Sequence, residues 1–226
     1  MKTVECEGLK GVYWIELDDG TRKLATENLA PGTQVYGEKL VEIEGKEYRL
    51  WDPYRSKLAA AILRGIKNIP IAEGMRVLYL GAASGTTASH VSDIIGQSGT
   101  AYCIEISSRP LRDLLVVCCR RPNLVPILAD ASKPGGYCSL VEKADVVYQD
   151  VAHPEQTEIL LSNVKAFLQE GGHAIFAIKA RSIDVTKDPR EIFRDEMEKL
   201  EKEMEVIDAK ILDPYEKDHA MLVLRK

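Results

Sequence analysis

A loop of small residues, 81–87, follows an apolar segment and precedes a helical one. Gly81, Ala82, Ala83 and Ser84 leave little side chain between the backbone and a ligand, and the start of a helix offers free N–H groups. This pattern is typical of a strand-to-helix turn that holds a nucleotide cofactor. A tight turn without a ligand, or the phosphate loop of a dehydrogenase, would account for the same residues.

Two carboxylates at later strand ends narrow the choice of cofactor. Glu105 ends the next apolar segment, about 20 residues beyond the loop, where a carboxylate can bind both hydroxyls of an adenosine ribose. Asp130 ends the third segment and can accept a hydrogen bond from the adenine amino group. The loop also lacks the middle glycine that a pyrophosphate requires, so the combination favours S-adenosylmethionine over NAD. Taken singly, Glu105 also fits a solvated strand end, and Asp130 a helix N-cap.

A carboxylate and an amine at two further strand ends have the chemistry of a proton acceptor. Asp150 ends a fourth apolar segment and Lys179 a fifth, so both lie where open α/β sheets bind ligands. A hydroxyl oxygen attacks a methyl group well only after a base removes its proton. The alternative is a structural ion pair between the two side chains. Lys57, one turn into a predicted helix, is by itself typical of a solvent-facing lysine.

The elements that must position these residues follow from the pattern after residue 76. Apolar strands alternate with helical segments, which predicts an α/β fold with a seven-stranded, mostly parallel sheet and helices on both faces. The predicted strands lie near 76–81, 100–105, 124–129, 145–150, 173–179, 205–213 and 219–225. The last two have no helix-length connector, so they should pair antiparallel at one edge.

A different pattern precedes residue 52. Short β-favouring runs at 11–17, 34–37 and 40–50 are separated by Asp-Gly and Glu-Gly turn signals, which predicts a small antiparallel β domain over 1–51. Asp52 and Pro53 then predict the N-cap and first residue of a helix that Gly65 ends. The catalytic domain is therefore expected over 52–226.

The composition of the chain limits which ligands and partners it can bind by itself. The net charge is −5, so the chain lacks the basic surplus of a protein that binds RNA unaided, unless positive charge is concentrated locally. Five cysteines without a CxxC pair or a nearby His give no reason to expect a metal site. No signal peptide or membrane span is predicted. Candidate basic clusters, which could equally be solvated helix faces, are Arg109, Arg112, Arg120 and Arg121, and Lys179, Arg181, Lys187, Arg190 and Arg194.

Long motifs add a resemblance to a known family. Five segments closely resemble fibrillarin-like RNA 2′-O-methyltransferases, in the same order and over essentially the whole chain. These segments are WDPYRSKLAA (51–60), LGAASGTT (80–87), RPLRDL (109–114), YQDVA (148–152) and IKARSID (178–184). The archaeal members lack the Gly/Arg-rich N-terminal extension of the eukaryotic ones, and this chain looks like the archaeal form.

The resemblance implies roles for individual residues. Lys57, Asp150 and Lys179 would correspond to the Lys-Asp-Lys set of 2′-O-methyltransferases, with Lys179 as the base. His219 matches a fourth polar position on the last strand, although a satisfied edge-strand histidine is the alternative. The cofactor S-adenosylmethionine would be bound by Gly81, Ala82, Ala83, Ser84, Thr86, Thr87, Glu105, Ile106, Asp130, Ala131, Asp150 and Gln156.

The resemblance also implies partners, namely a box C/D guide RNA, target rRNA or tRNA, a Nop-family coiled-coil scaffold and a kink-turn-binding ribosomal-type protein. Such partners would supply the RNA affinity that the acidic chain lacks, in the cytoplasm of an archaeal cell. A stand-alone methyltransferase acting on a small molecule or protein, and a nucleotide-binding assembly subunit without turnover, are the alternatives.

Overall fold

The N-terminal residues form an antiparallel sheet. The computed structural model describes all residues, 1–226. The strands of this sheet are β1 (Lys2–Cys6), β2 (Leu9–Glu16), β3 (Arg22–Glu27), β4 (Leu40–Ile43) and β5 (Lys46–Leu50), in the order β1-β2-β3-β5-β4. Turns at 18–20 and 44–45 join β2 to β3 and β4 to β5, so the predicted β module and both turn signals are confirmed.

One predicted strand in this module is wrong. Residues 34–37 form a loop, because the carboxylate of Glu38 accepts hydrogen bonds from the backbone N–H groups of Val35 at 3.0 Å and Tyr36 at 2.8 Å. These amides therefore do not pair with a neighbouring strand. Two strands, β1 and β3, were not predicted, because their charged residues mask the apolar alternation.

The rest of the chain forms a seven-stranded sheet with helices on both faces. Its strands are β6 (Arg76–Leu80), β7 (Thr100–Glu105), β8 (Leu124–Leu128), β9 (Ala144–Gln149), β10 (Leu168–Lys179), β11 (Glu205–Ile211) and β12 (His219–Arg225). The helices are α1 (Lys57–Leu63), α2 (Thr86–Ile95), α3 (Ser108–Cys118), α4 (Gln156–Phe167), α5 (Ala180–Ile183) and α6 (Pro189–Leu200). The strand order is β11-β12-β10-β9-β6-β7-β8, in which β12 runs antiparallel to both of its neighbours, β11 and β10, and all other pairs are parallel. The predicted mostly parallel sheet with an antiparallel edge pair is confirmed.

Strand order fixes where a ligand can bind. The chain leaves β6 toward β7 on one side, and later adds β9 on the other side of β6. Ligands bind at such a reversal, outside the carboxyl ends of the strands, because the following loops diverge there. In the register of this pair, Leu80 lies opposite Gln149, so the next residues, Gly81 and Asp150, meet at the reversal.

The predicted start of the first helix is wrong. Asp52 does not cap α1; its carboxylate accepts a hydrogen bond from the N–H of Tyr54 at 2.9 Å in a separate turn. The helix begins at Lys57, and Ser56 is its N-cap, accepting from the N–H of Ala59 at 3.4 Å. The Ser56 hydroxyl also accepts a hydrogen bond from Thr87 at 3.0 Å, which ties the start of α1 to α2.

Two apolar cores lie on opposite faces of the large sheet. One includes side chains of α1, α2 and the N-terminal sheet, such as Leu24 and Trp51. The other lies under α4 and α6 and includes Phe193, Leu200 and Met204, so the apolar side of α6 packs mainly on the sheet. Because the first core is shared by both sheets, the division into domains 1–51 and 52–226 stays a prediction.

A buried ionic network connects the two sheets. Arg49 of β5 donates to Glu38 at 2.6 Å and to Asp93 of α2 at 2.9 Å. Arg121 donates to the other oxygen of Asp93, and its side chain is fully buried. The prediction that Arg121 belongs to a basic cluster available to RNA is therefore wrong, because burial against Asp93 neutralises its charge.

Candidate active site

A cavity of about 330 Å³ lies where the strand order reverses. Four loops, each following the carboxyl end of a parallel strand, contribute to its lining, together with strand-end residues of β7 and β10 and one residue of α4. Its lining is Gly81, Ala83, Ile104, Glu105, Ile106, Ala129, Asp130, Ala131, Ser132, Asp150, Val151, Ala152, His153, Ile159 and Lys179. The predicted convergence of the glycine loop with Glu105, Asp130, Asp150 and Lys179 is observed.

The glycine loop requires its small residues for a geometric reason. Gly81 has φ 80°, and a Cβ at this position would lie 2.7 Å from the backbone oxygen of Asp150. Gly85 has φ 92°, and a Cβ there would lie 2.9 Å from Leu114. Ala83 also has a positive φ, 48°, which is uncommon for a residue with a side chain. The loop therefore brings bare backbone to the cavity wall.

Two backbone N–H groups hold the carboxylate of Glu105 at the end of β7. Its Oε2 accepts a hydrogen bond from the N–H of Ala83 at 2.9 Å, and its Oε1 accepts one from Ser107 at 2.8 Å. The residue is buried, with 8% of its surface exposed. Each carboxylate oxygen has a second lone pair free to accept from a hydroxyl group. The site therefore offers an oriented acceptor pair of the kind that binds a ribose diol.

Asp130 both caps a local turn and lines the cavity, and its role toward adenine stays a prediction. Its carboxylate accepts hydrogen bonds from the hydroxyl of Ser132 at 2.7 Å and from the N–H of the same residue at 2.9 Å. These bonds, with Lys133 nearby, hold the pKa of Asp130 below its ordinary value of 3.8. The carboxylate stays ionised, caps a turn and also lines the cavity.

Two lysines share one carboxylate at the edge of the cavity. Lys179 Nζ lies 2.8 Å from Asp150 Oδ1 and donates to the backbone oxygen of the same residue at 2.9 Å. Lys57 Nζ donates to Asp150 Oδ2 at 3.3 Å and lies 3.9 Å from Glu216. The side chains of Lys57, Asp150 and Lys179 are 15–18% exposed, so the group is mostly enclosed yet open to solvent. We call Lys57, Asp150, Lys179 and His219 the reaction cluster.

Gln156 holds the backbone at the end of β10. Its side-chain oxygen accepts from the N–H of Lys179 at 2.9 Å, and its amide nitrogen donates to the carbonyl of the same residue at 3.1 Å. The side chain is fully buried and does not line the cavity. Its observed contacts therefore fix the direction in which Lys179 leaves the strand, and its assignment to the cofactor stays a prediction.

His219 lies beside Lys179 across the β10–β12 pair. Its Nδ1 lies 2.6 Å from the carbonyl oxygen of Lys217, a distance at which Nδ1–H donates and Nε2 is left as an acceptor. Burial lowers the pKa of His219 below 6.5, and Lys57 lowers it further, whereas the Lys217 hydrogen bond, Glu216 and Asp150 oppose the shift. The imidazole is therefore neutral at pH 7.

Four other predicted cofactor residues lie near the cavity but are not part of its lining. Ala82, Ser84, Thr86 and Thr87 belong to the loop and the first turn of α2 but do not line the cavity. Their roles stay predictions. Sequence reasoning missed cavity residues adjacent to predicted ones, such as Ser132 and Val151. It also missed Glu216, which no local pattern singles out, because only the fold brings it near Lys57.

The residues present fit S-adenosylmethionine. Bare backbone at the loop permits close approach of a ligand, Glu105 offers acceptors for a diol, and Ile106 adds apolar surface beside it. No group of three or more His, Cys, Asp or Glu side chains is arranged to hold a metal ion. None of the helices has both the length and the hydropathy that crossing a bilayer requires.

The fold and the site together define the class. A seven-stranded sheet in this order, with the glycine loop after β6 and acidic residues at the ends of β7 and β8, has the architecture of S-adenosylmethionine-dependent methyltransferases. A model of the family described as fibrillarin matches residues 3–226, and the chain belongs to this family. The resemblance and the fold class inferred from the sequence are thereby confirmed.

Relatives and solved structures agree with the family model. The chain is 58% identical over 218 residues to a fibrillarin-like rRNA/tRNA 2′-O-methyltransferase of Methanopyrus kandleri, covering 96% of this chain and 94% of that protein. It is 49% identical to Aeropyrum pernix fibrillarin, solved with natively bound S-adenosyl-L-methionine, with a TM-score of 0.93 and coverage of 99% and 98%. A chain in a solved fibrillarin/Nop5p complex is 42% identical, with a TM-score of 0.85 and coverage of 95% and 97%.

Proposed function

We propose that this chain transfers the methyl group of S-adenosylmethionine to a ribose 2′-hydroxyl of RNA. The observation that carries the proposal is the position of Lys179, whose Nζ lies 2.8 Å from Asp150 at the wall of the cavity. When bound, the cofactor supplies a methyl group on a positively charged sulfur. The names and similarity of the relatives support ribose 2′-hydroxyls of rRNA and tRNA as the acceptors.

Lys179 is the proposed base. Its amine first releases a proton to solvent, then accepts the proton of the 2′-hydroxyl as that oxygen bonds to the methyl carbon and the carbon–sulfur bond breaks. Asp150 orients this amine through its side chain and its backbone carbonyl. Lys57 binds the second oxygen of Asp150 and so limits rotation of the carboxylate. His219 offers a neutral acceptor beside them.

The cofactor contacts are proposed residue by residue. Glu105 accepts hydrogen bonds from the ribose hydroxyls, and Asp130 accepts one from the adenine amino group. The backbone of loop 81–87 lies against the remainder of the molecule, where the N-terminus of α2 provides unpaired N–H groups. The support for this arrangement is that Gly81, Glu105 and Asp130 line one cavity.

RNA selection is assigned to partners. The solved fibrillarin/Nop5p complex supports a Nop-family partner. We further propose a box C/D guide RNA that pairs with the target and a kink-turn-binding ribosomal-type protein that completes the particle, in the cytoplasm of an archaeal cell. The net charge of −5 is consistent with a subunit whose RNA affinity comes largely from others.

The test is methyl transfer in a reconstituted particle. The chain is combined with a Nop-family scaffold, a kink-turn protein, a guide RNA and a complementary target, and transfer from methyl-labelled S-adenosylmethionine is measured. We expect label at one guide-specified nucleotide and its loss when that nucleotide is 2′-deoxy. Label that persists on the 2′-deoxy target would contradict ribose methylation. Binding of cofactor without any transfer would favour an assembly role instead.

A further inference from the structure

The reaction cluster holds two lysines around one carboxylate. Lys179 Nζ lies 2.8 Å from Asp150 Oδ1, and Lys57 Nζ lies 3.3 Å from Asp150 Oδ2. A lysine accepts a proton only after it has lost its own. If Lys57 lost its proton instead, Lys179 would stay an ammonium ion and could not act as the base. The choice of base therefore depends on which lysine keeps its proton.

The contacts with Asp150 alone would keep the proton on Lys179. Of the two lysines, Lys179 lies closer to the carboxylate, and it also donates to the backbone oxygen of Asp150 at 2.9 Å. An opposite charge favours the protonated amine more strongly as the distance shortens. The two side chains are similarly enclosed, 15% exposed for Lys57 and 18% for Lys179, so solvent does not offset this difference.

Glu216 gives Lys57 a second carboxylate that Lys179 does not have. Its Oε1 lies 3.9 Å from Lys57 Nζ, and Lys57 is its only ion-pair partner. The side chain of Glu216 is 24% exposed, so water screens this charge only in part. Opposite charge on two sides favours the ammonium form of Lys57 and leaves Lys179 with Asp150 alone.

The loop between β11 and β12 fixes the position of Glu216. The backbone N–H of Glu216 donates to the carbonyl oxygen of Leu212 at 3.3 Å, and Leu212 is fully buried. The ring of Tyr215 packs edge-on against Tyr54, with ring centroids 5.3 Å apart. Tyr54 lies just before α1, the helix that begins at Lys57. The loop is therefore packed against the segment that carries the lysine.

Other titratable groups next to the reaction cluster are neutral or paired. These groups are His219, Tyr79, Tyr148, Arg181 and Asp218. Burial lowers the pKa of His219 below 6.5 and raises the pKa values of Tyr79 and Tyr148 well above 10. Arg181 Nε lies 3.0 Å from Asp218, so these two charges offset each other. Glu216 is therefore the charge that distinguishes the two lysines.

We propose that Glu216 is a positioning residue that keeps the proton on Lys57, so that Lys179 is the lysine that gives up its proton and becomes the base. The proposal rests on the function proposed above and adds the residue that selects between the two amines. Lys57 then remains the cation that holds Asp150 after Lys179 has lost its charge. No proton passes through Glu216 itself.

The experiment measures the reactivity of each lysine in the full-length chain. Neutral amines react with acetic anhydride and ammonium ions do not, so brief labelling at about pH 9 followed by mass spectrometry compares the neutral fractions of individual lysines. Glu216→Gln removes the charge at nearly constant size, and Glu216→Asp keeps it. The matched control is Asp213→Asn, which removes an exposed carboxylate without an ion pair from the same loop. Rates are normalised to exposed Lys165, whose labelling also reports loss of folding.

In Glu216→Gln, the labelling rate of Lys57 should rise at least about threefold, because its ammonium form loses a stabilising charge. Lys179 should change by less than about twofold, since its carboxylate partner is untouched. Glu216→Asp and Asp213→Asn should stay within about twofold of the wild type at Lys57. An unchanged Lys57 in Glu216→Gln, an equal rise in either of the other variants, or a larger rise at Lys179 would overturn the proposal.

Methyl transfer in the reconstituted particle is a separate readout. In Glu216→Gln, Lys57 should lose its charge at a lower pH, so the ratio of the single-turnover rate at about pH 9.5 to that at about pH 8 should fall at least about threefold below the wild-type ratio. Cofactor affinity should stay within about twofold. An unchanged ratio would overturn the role of Glu216 in the reaction. Absence of transfer in the wild type would reject the proposed function but not the difference between the two lysines, which the labelling tests independently.

Discussion

Glu105 shows how one residue can be prepared for its ligand by the backbone alone. Two N–H groups, from Ala83 and Ser107, hold its carboxylate at the cavity wall. A ligand therefore meets an acceptor that is already oriented, and little rotational freedom is lost on binding. Its residue type and its place at the end of β7 could be predicted from the sequence, whereas the two backbone donors depend on the folded loop.

Glu105→Ala is expected to weaken cofactor binding by about tenfold to a hundredfold, because hydrogen bonds to a charged group contribute about 1.5–3 kcal/mol. The turnover number at saturating cofactor should stay within about threefold of the wild type, since the reaction cluster is untouched. Isothermal titration calorimetry measures the affinity. Asp113→Ala, at an exposed carboxylate on α3 without an ion pair, is the control and should bind normally. Wild-type affinity in Glu105→Ala would refute this role.

At the scale of elements, the β6–α2 loop is built around close backbone contact. The positive φ of Gly81 and the 2.7 Å approach of its hypothetical Cβ to Asp150 leave no room for a side chain. Because of this close backbone contact, the cofactor loop packs directly against the end of β9, where Asp150 of the reaction cluster lies. A change in this loop should therefore disturb both cofactor binding and the position of Asp150.

Gly81→Ala should lower the free energy of unfolding by about 1–3 kcal/mol, the cost of a strained backbone, and should nearly abolish cofactor binding. Gly135→Ala is the control, because a Cβ there meets nothing within 4 Å. Denaturant unfolding and calorimetry report the two effects. If Gly81→Ala matched Gly135→Ala in both measurements, the close approach would have no functional consequence.

Elements whose residues follow a clear period were predictable, and elements stabilised by distant contacts were not. The parallel strands of the large sheet are apolar runs between helices. The position of each strand along the chain could therefore be predicted to within a few residues. The start of α1 was missed because Asp52 and Pro53 form a strong local N-terminal signal. Tertiary contact with Thr87 instead selects Ser56 as the cap. Gln156, at the start of α4, contacts Lys179, and Glu216, in the loop between β11 and β12, approaches Lys57 only in the folded chain, so no single segment of sequence specifies either contact.

At the scale of the whole molecule, the buried network between the two sheets favours a neutral histidine at its centre. The hydroxyl of Thr26 donates to Asp93 at 2.7 Å and so accepts from Nδ1–H of His90 at 2.8 Å. Nε2 then accepts from the hydroxyl of Tyr36 at 2.8 Å. Burial holds the pKa of His90 well below 6.5, and the charges of Arg49 and Arg121 lower it further.

Stability should consequently fall in acid. The unfolded chain binds a proton at His90 below pH 6.5 while the folded chain does not, so the stabilisation is complete above that pH and decreases as the pH drops. This one group contributes a slope of up to about 1.4 kcal/mol per pH unit. Thermal unfolding of His90→Gln between about pH 7 and pH 5 should show a smaller decrease in melting temperature than the wild type. His153→Gln is the control, and an equal decrease in all three proteins would contradict the assignment.

The central claim is that the strand ends place Lys179 at the wall of the cofactor cavity. It is tested most directly by comparing the methyl-transfer rate and the cofactor affinity of Lys179→Ala with those of the wild type in the reconstituted particle. Removal of the proposed base should lower the single-turnover rate by about 10²–10⁴-fold. Cofactor affinity should remain within about threefold of the wild type, and Lys165→Ala should behave as the wild type in both measurements. A Lys179→Ala rate within tenfold of the wild type, or a loss of affinity as large as the loss of rate, would contradict the account.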